Sequence, residues 1–484
     1  MTLVERHSVD LRGAMNRVLC RMFVPGEEEL IRGPSRIPDV VARCLELSEA
    51  DVVVTLKAVE RDYSDRHRDL RDQFDAHYRA VAHLVTSSVS RERQLLIGAY
   101  LTQEYAIEGA AYFNPSIVVH PDEWESSQES GRFVLSVRAV GEGHISTIVF
   151  RSGAIAPDGT VSLEPASPYA SIRADRYTIL RRRYVRQSAI EAGIDSMDLE
   201  LVLGMLPDKF TMEELLSTLS QSDPRGMRNT TSDEFVEIMQ DIARSSYEVD
   251  FPNDSVLSER VLWPTDADER RGMEDARFVC LQDADEPVRY RASYTAFDGT
   301  QVSTRILETD DFCSFSSMKL TGSGAQNKGL AFFPRRVDDR YVALSRWDRE
   351  SLSISFSEDS YHWNDVTKVA TPKYPWELVH IGNCGSPIEL PEGWLVLTHG
   401  TGAMREYAMG VMLLDRDDPT KVIGRMDEPL LKATDEERNG YVPNVVYSCG
   451  AIAHGDRLTV PYGISDWRIG FASVDIPELL NRLA

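Results

Sequence analysis

From Val256 to Ala484 the chain is a succession of short β-prone runs cut by Gly, Asp and Asn turns. That alternation limits the fold more than any other feature of the sequence. Tyr341–Ser345, Leu352–Phe356 and Trp394–Thr398 are rich in large or β-branched apolar residues and are bounded by turn formers, which predicts strands. No long helical pattern separates them, so a parallel sheet wound by crossover helices is disfavoured. Many short strands in antiparallel succession suit a sandwich, a barrel or a propeller. A recurrence of strand, aromatic residue and acidic or glycine turn, as in Tyr294–Gly299 and Phe356–Asp359, leans toward the propeller.

Two stretches depart from this pattern. From about Ile37 to Gln103 apolar residues recur at helical spacing with few glycines, as in Val40–Leu45 and Phe74–Val81, which predicts several helices. Helical spacing returns between roughly Arg173 and Tyr247, in Met212–Leu216 and Phe235–Met239. Between them, Phe133–Arg138 and Ile145–Phe150 flank Gly141-Glu142-Gly143, a hairpin signal. The 484 residues exceed one ordinary domain, which runs to roughly 100–200 residues. Two or three domains, or one large domain carrying insertions, are expected.

Charge and cysteine usage bear on partners. The 77 acidic and 53 basic residues leave a formal charge of −24, a field that repels polyanions and argues against nucleic acid. A small anion requires a pocket whose own cations reverse that field. The opening MTLVERHSVDLRGAM has no apolar stretch of signal-peptide length, and no run approaches the roughly 20 apolar residues of a membrane helix. Six scattered cysteines without a CxxC pair read as reduced, mostly buried thiols. The expectation is a cytoplasmic protein with no membrane partner.

HExxH, GxSxG and zinc-type cysteine spacings are absent. Gly322–Gly329 lacks the Gly-Lys-Ser/Thr order of a phosphate loop. More informative is Gly272-Met273-Glu274-Asp275-Ala276-Arg277-Phe278, two carboxylates and an arginine at a strand entrance. An isolated pair of this kind is usually a surface salt bridge. The functional alternative is a carboxyl acid beside a cation that binds an anionic reactant. Similar polar clusters recur at strand ends: Asn327-Lys328-Gly329, Arg346-Trp347-Asp348, Gly382-Asn383-Cys384-Gly385-Ser386-Pro387, His399-Gly400, Gly440–Asn444 and Pro461–Asp466. Loops on a rigid β scaffold are where function is carried, and only the joint appearance of these clusters favours that reading.

In this order the segments resemble the β-mannoside phosphorylase family, glycoside hydrolase family 130. The likeness covers Asn114-Pro115 with Arg138, then most of the chain from Ser258 to Val474. Its strongest elements are Gly-x-Glu-Asp-x-Arg at Gly272–Arg277, Lys328 before Phe333-Pro334, Ser345-Arg346, Gly385–Ile388, Gly393–Leu395 with His399-Gly400, Leu413–Asp415 with Asp418-Pro419, and Tyr462-Gly463 with Asp466. The resemblance implies a five-bladed β-propeller. On that reading 1–108 is an N-terminal helical region, 109–172 a first propeller segment, 173–250 a helical insertion and 251–484 the remaining blades. Both helical parts exceed the compact family pattern, and Ala276 stands where the family often has proline, which places the chain in an outlying branch.

The resemblance further implies inverting phosphorolysis of a β-mannoside with release of α-mannose 1-phosphate. Asp275 would be the general acid, its proton passing through the mannosyl 3-hydroxyl. Phosphate is already an anionic nucleophile, so no second carboxylate base is required. Cations and donors that hold it in line are required instead, and the candidates for that cradle are Arg138, Lys328, Arg346 and His399, with Arg277 nearby. Asn114, Asp298 and Asp466 would fix mannosyl hydroxyls, and Trp376 or Tyr441 could offer an aromatic face to a sugar. The partners implied are a mannose-containing oligosaccharide and inorganic phosphate as co-substrate, with no cofactor and no metal. The amphipathic N-terminal helices suit a cap over the propeller, a lid over the acceptor or a subunit contact in a homo-oligomer. Two alternatives stay open: a β-mannosidase that uses water on the same scaffold, and a non-catalytic carbohydrate-binding protein.

Overall fold

The β-prone runs pair with their sequence neighbours, because short turns return each strand antiparallel to the one before it. The computed structural model describes residues 3–26, 35–123, 131–172, 175–194, 196–221, 232–283, 285–286 and 288–483. Among these the fold is mainly β. The largest sheet runs from Ala111–Val119 through Arg132–Val140 and Ser146–Ile155 to Gly272–Cys280. It continues through Tyr290–Phe297, Val302–Thr309 and Ser314–Lys319 to Ser246–Asp250 and Asp175–Tyr177. Its two halves meet through one parallel pair, Gly272 with Ser146. Gly272 has φ 151°, and a Cβ there would lie 2.7 Å from the Ser146 side chain, so the junction depends on glycine.

A second sheet contains Ala331–Phe332, Tyr341–Ser345, Leu352–Ser357 and Asp365–Ala370. A third is built on His380–Asn383, Gly393–Thr401, Tyr407–Leu414 and Val422–Arg425. The last holds Val446–Tyr447, Arg457–Ile464 and Arg468–Asp475, and takes in Val4–Arg6 through the pairs Val4–Val474 and Arg6–Ala472. The Gly141–Gly143 signal marks the observed hairpin, with Val140 opposite Ser146.

Four helices follow: Glu49–Tyr63, Leu70–Val81 and Arg91–Tyr100 pack around Val52, Leu56, Phe74, Leu95 and Leu96, and Ile37–Glu46 sets Val41 and Cys44 against Val81 and Ile97. Ser48 and Ser90 cap two of them by accepting from Asp51 N and Arg93 N, satisfying otherwise orphaned donors. A Cβ on Gly98 would lie 1.8 Å from the Phe74 carbonyl oxygen, so two of these helices touch backbone to backbone. The helices between Arg182 and Arg244 bury Tyr184, Leu199, Phe235 and Met239 against Ile306 and Met318 of the large sheet and Trp363 of the turn before Asp365–Ala370. Residues 4–22 differ from the expected helical reading: Val4–Arg6, Leu11–Arg12 and Val18–Met22 are strands whose partners lie far along the chain. Ser246–Asp250 likewise joins the large sheet. All six cysteines are free thiols, and every one but Cys280 is fully buried.

Candidate active site

Three of the expected site residues sit where the backbone turns left-handed: Asn114 at φ 52°, Asp275 at φ 57° and Asp466 at φ 53°. Asn and Asp tolerate this region better than other non-glycine residues. Asn114 and Asp275 occupy β-bulges, where pairing skips from Phe113 to Ser116 and from Glu274 to Arg277. A bulge re-aims the side chain it carries, and here two neighbouring bulges aim theirs at each other. Pro115 fits the first bulge, since its missing N–H is not required there. Ser116 Oγ accepts from Phe278 N at 2.9 Å and fixes the two strands together just past both bulges. Asp466 lies in the turn between Arg457–Ile464 and Arg468–Asp475.

The Asp275 carboxylate is held on one oxygen by two donors. Asn114 Nδ2 reaches Oδ1 at 2.6 Å, and Arg138 Nη1 reaches the same atom at 3.0 Å. Arg138 also donates from Nη2 to Glu274 Oε1 at 2.7 Å and from Nε to Ser146 Oγ at 3.0 Å. Its guanidinium lies 4.8 Å from the Phe113 ring centre. The other Glu274 oxygen pairs with the Lys328 ammonium. Glu274 therefore braces two cations on either side of Asp275. Arg277 donates to Asn383 Oδ1 at 2.8 Å and to the Tyr447 hydroxyl. Arg346 Nη1 lies 3.1 Å from His399 Nε2, and His399 Nδ1 lies 2.9 Å from the Asn383 carbonyl.

Burial alone would raise Asp275, but Arg138, then Lys328, the Asn114 amide and Arg277 outweigh it and hold the carboxyl at about 2. Asp466 goes the other way. Burial pushes it up to about 6, with the Asp275 charge adding to the rise and Arg138 and Arg405 opposing it. Two carboxylates sharing one arginine thus titrate far apart, a pattern typical of acid–base sites. Burial, together with the charges of Arg346 and Arg277 and the neighbouring His380, drives His399 well below its ordinary value.

Asn114, Arg138, Asp275, Arg277, Lys328 and Asp466 are thus joined by bonds or by mutual charge effects. Arg346 and His399 connect to them through Asn383 and Arg277. His399 enters this group through its bonds to Asn383 and Arg346. A carbonyl can only accept, so Nδ1 carries the proton and Nε2 presents a lone pair to Arg346. The ring is a neutral brace for Arg346, not a further positive charge. Asp298 is not bonded into the group. Its Oδ1 is taken up by Thr300 N, Thr300 Oγ1 and Gln301 N at 2.7–2.8 Å, in the turn of its own hairpin. It faces the same groove of about 1020 Å³ that Lys328, Arg346 and Arg349 line. Trp376 lies over Gly400 and Gly410 and donates from its indole to Asp427 O, so its face packs against protein. Tyr441 is half-exposed, with its hydroxyl 3.1 Å from His144 Nδ1.

Sequence reasoning gave no role to Glu274 as a brace, to Tyr447 as a partner of Arg277, or to Asn383. A signal for the last was present. Gly382 precedes it, and a Cβ there would lie 2.5 Å from the His399 ring. Closely spaced glycines around a polar residue mark such an approach. Among the described residues no group of three His, Cys, Asp or Glu side chains is placed to hold a metal ion, and no helix is long and apolar enough to cross a membrane.

The family described as beta-1,4-mannooligosaccharide phosphorylase matches residues 230–484. A 1,2-beta-oligomannan phosphorylase of Thermoanaerobacter sp. (strain X514) is 34% identical over 215 residues, 44% of this chain and 71% of that protein. A beta-1,2-mannobiose phosphorylase of Listeria innocua serovar 6a is 28% identical over 361 residues, 72% of this chain and 95% of that protein. The solved structure of a beta-1,2-mannobiose phosphorylase from Listeria innocua with beta-1,2-mannobiose overlays 78% of this chain and 93% of that one, at 22% identity and a TM-score of 0.48. The chain belongs to glycoside hydrolase family 130, the family of the β-mannoside phosphorylases.

Proposed function

We propose that this chain cleaves β-mannosides by inverting phosphorolysis. Phosphate oxygen bonds to the anomeric carbon, the glycosidic C–O bond breaks, and α-mannose 1-phosphate and the shortened sugar leave. The observation that carries this reading is one carboxyl group, Asp275, set among Arg138, Lys328 and Arg277 with Arg346 in the adjoining groove. The neighbouring carboxylate Glu274 is already paired with two cations, Arg138 and Lys328. Arg346 and Lys328 line that groove together, and an arginine fork beside an ammonium suits phosphate oxygens.

Asp275 at about 2 is ionised in the empty site, so a proton donor must be made during binding. A phosphate dianion beside Lys328 and Arg346 brings negative charge close to Asp275 and draws off part of the field that depresses it. Both effects raise its pKa. The acid is then armed by the nucleophile it works with, and a bound sugar without phosphate meets a carboxylate that has no proton to give. Asn114 and Asp466 hold the mannosyl hydroxyls from the two bulge and turn positions.

The two relatives described above are named for 1,2-linked substrates and the family description for 1,4-linked ones, so the test uses both mannobioses, with and without phosphate. Cleavage that needs phosphate is expected; cleavage at an equal rate in its absence would refute the reading. That second outcome would favour hydrolysis, for which Asp466, raised to about 6, would be the base that activates water. We also read the sheets as five propeller blades. The antiparallel groups follow one another in sequence, and the pairing of Val4–Arg6 with Arg468–Asp475 supports a ring joined by its two ends. The helices at 37–100 and 182–244 would be additions to that ring.

A further inference from the structure

We infer that Asn383 is the positioning residue that sets the spacing of the cations in the proposed phosphate site; the inference rests on the phosphorolysis reading. Asn383 ends the strand His380–Asn383 and is 1% exposed. Its Oδ1 accepts from Arg277 Nη1 at 2.8 Å and from Gly385 N at 3.1 Å. Its Nδ2 donates to the carbonyl of Gly329, the residue after Lys328, at 2.7 Å. Its own carbonyl accepts from His399 Nδ1 at 2.9 Å, and His399 in turn accepts from Arg346. One buried residue is therefore the meeting point of three cations that come from three different parts of the chain.

The chemistry selects an amide. Arg277 is an obligate donor and the Gly329 carbonyl an obligate acceptor, so the side chain between them must present one oxygen and one N–H group. Asp in this place would keep Arg277 but set a second oxygen against the Gly329 carbonyl. The loop that carries Lys328 is fastened on its other side as well. Asn327 donates to Trp347 O and accepts from Arg349 Nε at 2.8 Å, and Thr304 Oγ1 donates to Asn327 O at 2.7 Å. Gly329, at φ 94°, lets the backbone turn so that its carbonyl faces Asn383 while Lys328 reaches Glu274. Phosphate held by such cations is sensitive to displacements well below an ångström. The bonds of Asn383 run to Arg277, Gly329, Gly385 and His399 and not to Asn114, Asp275 or Asp466, so its effect falls on the anion.

The test is Asn383→Asp, with Asn383→Ser as a second variant that adds no charge. For each, the KM for phosphate and the KM for mannobiose are measured on full-length protein, together with the rise in melting temperature that phosphate produces. The expected result is a phosphate KM raised about tenfold or more, a mannobiose KM within about threefold of the parent, and a smaller phosphate-induced stabilisation. Folded variants whose two KM values rise together, or whose phosphate KM does not move, overturn the inference while the phosphorolysis reading stands. Parent protein that cleaves mannobiose without phosphate overturns the reading, and the inference with it.

Discussion

Replacing Asp275 by Asn removes the proton and the charge while leaving the shape. The amide oxygen can still accept from Asn114 Nδ2 and Arg138 Nη1, which now meet the carboxylate at 2.6 and 3.0 Å. Arg138 keeps its bond to Glu274, so no cation is left unpaired in the core. The ionised carboxyl is favoured in the folded state by the drop from 3.8 to about 2, which corresponds to roughly 2 kcal/mol at neutral pH. That stability is present above pH 4 and is lost as pH falls through about 2. The variant should therefore melt slightly below the parent at pH 7 and match it in strong acid. Turnover should fall about 10²–10⁴-fold, the usual contribution of a positioned general acid. The assay is release of sugar 1-phosphate from mannobiose, run beside a thermal melt. A folded Asp275→Asn variant within about tenfold of parental turnover would remove Asp275 from the mechanism.

Three further outcomes follow from the same geometry. Lys328→Ala frees one Glu274 oxygen and deletes a charge from the groove; the phosphate KM should rise at least about tenfold with little change in the mannobiose KM, and equal rises would mark a structural role. Asp466→Asn should stabilise the protein at pH 7–8 by up to about 3 kcal/mol, because a carboxyl raised to about 6 favours folding below pH 4 and loses that contribution as pH rises through 6; melting curves at pH 4 and 8 check the sign, and turnover should drop as a sugar contact is lost. His399 should be neutral by NMR at neutral pH, since burial and then Arg346 lower it well below its ordinary value, and an imidazolium signal there would contradict its role as an acceptor for Arg346.

The strands were legible because their information is local. Tyr341–Ser345, Leu352–Ser357 and Gly393–Thr401 carry period, composition and turn residues within a few positions. The pairing of Val4–Arg6 with Arg468–Asp475 was not, since nothing in three N-terminal residues names a partner hundreds of positions away. The site divides in the same way. The order of motifs was enough to assemble Asn114, Arg138, Asp275, Lys328 and Asp466. What each charge does depends on partners that only folding supplies. His399 was legible as part of the cradle, but only its bond to a buried carbonyl fixes which ring nitrogen carries the proton. Asp298 looked like a sugar ligand, but its Asp-Gly-Thr sequence is also a turn that caps itself, and the turn took up one of its oxygens. Asn383 has no charge to draw notice, yet it bonds to Arg277, Gly329 and His399.

The anomeric form of the product tests the central claim most directly. Proton and phosphorus NMR on a reaction of β-mannobiose, phosphate and the parent protein should show α-mannose 1-phosphate growing in step with free reducing sugar, with no signal when phosphate is left out. Mannose released without a phosphorus-coupled anomeric signal, or the β-linked phosphate, would contradict attack by phosphate opposite the bond that Asp275 protonates.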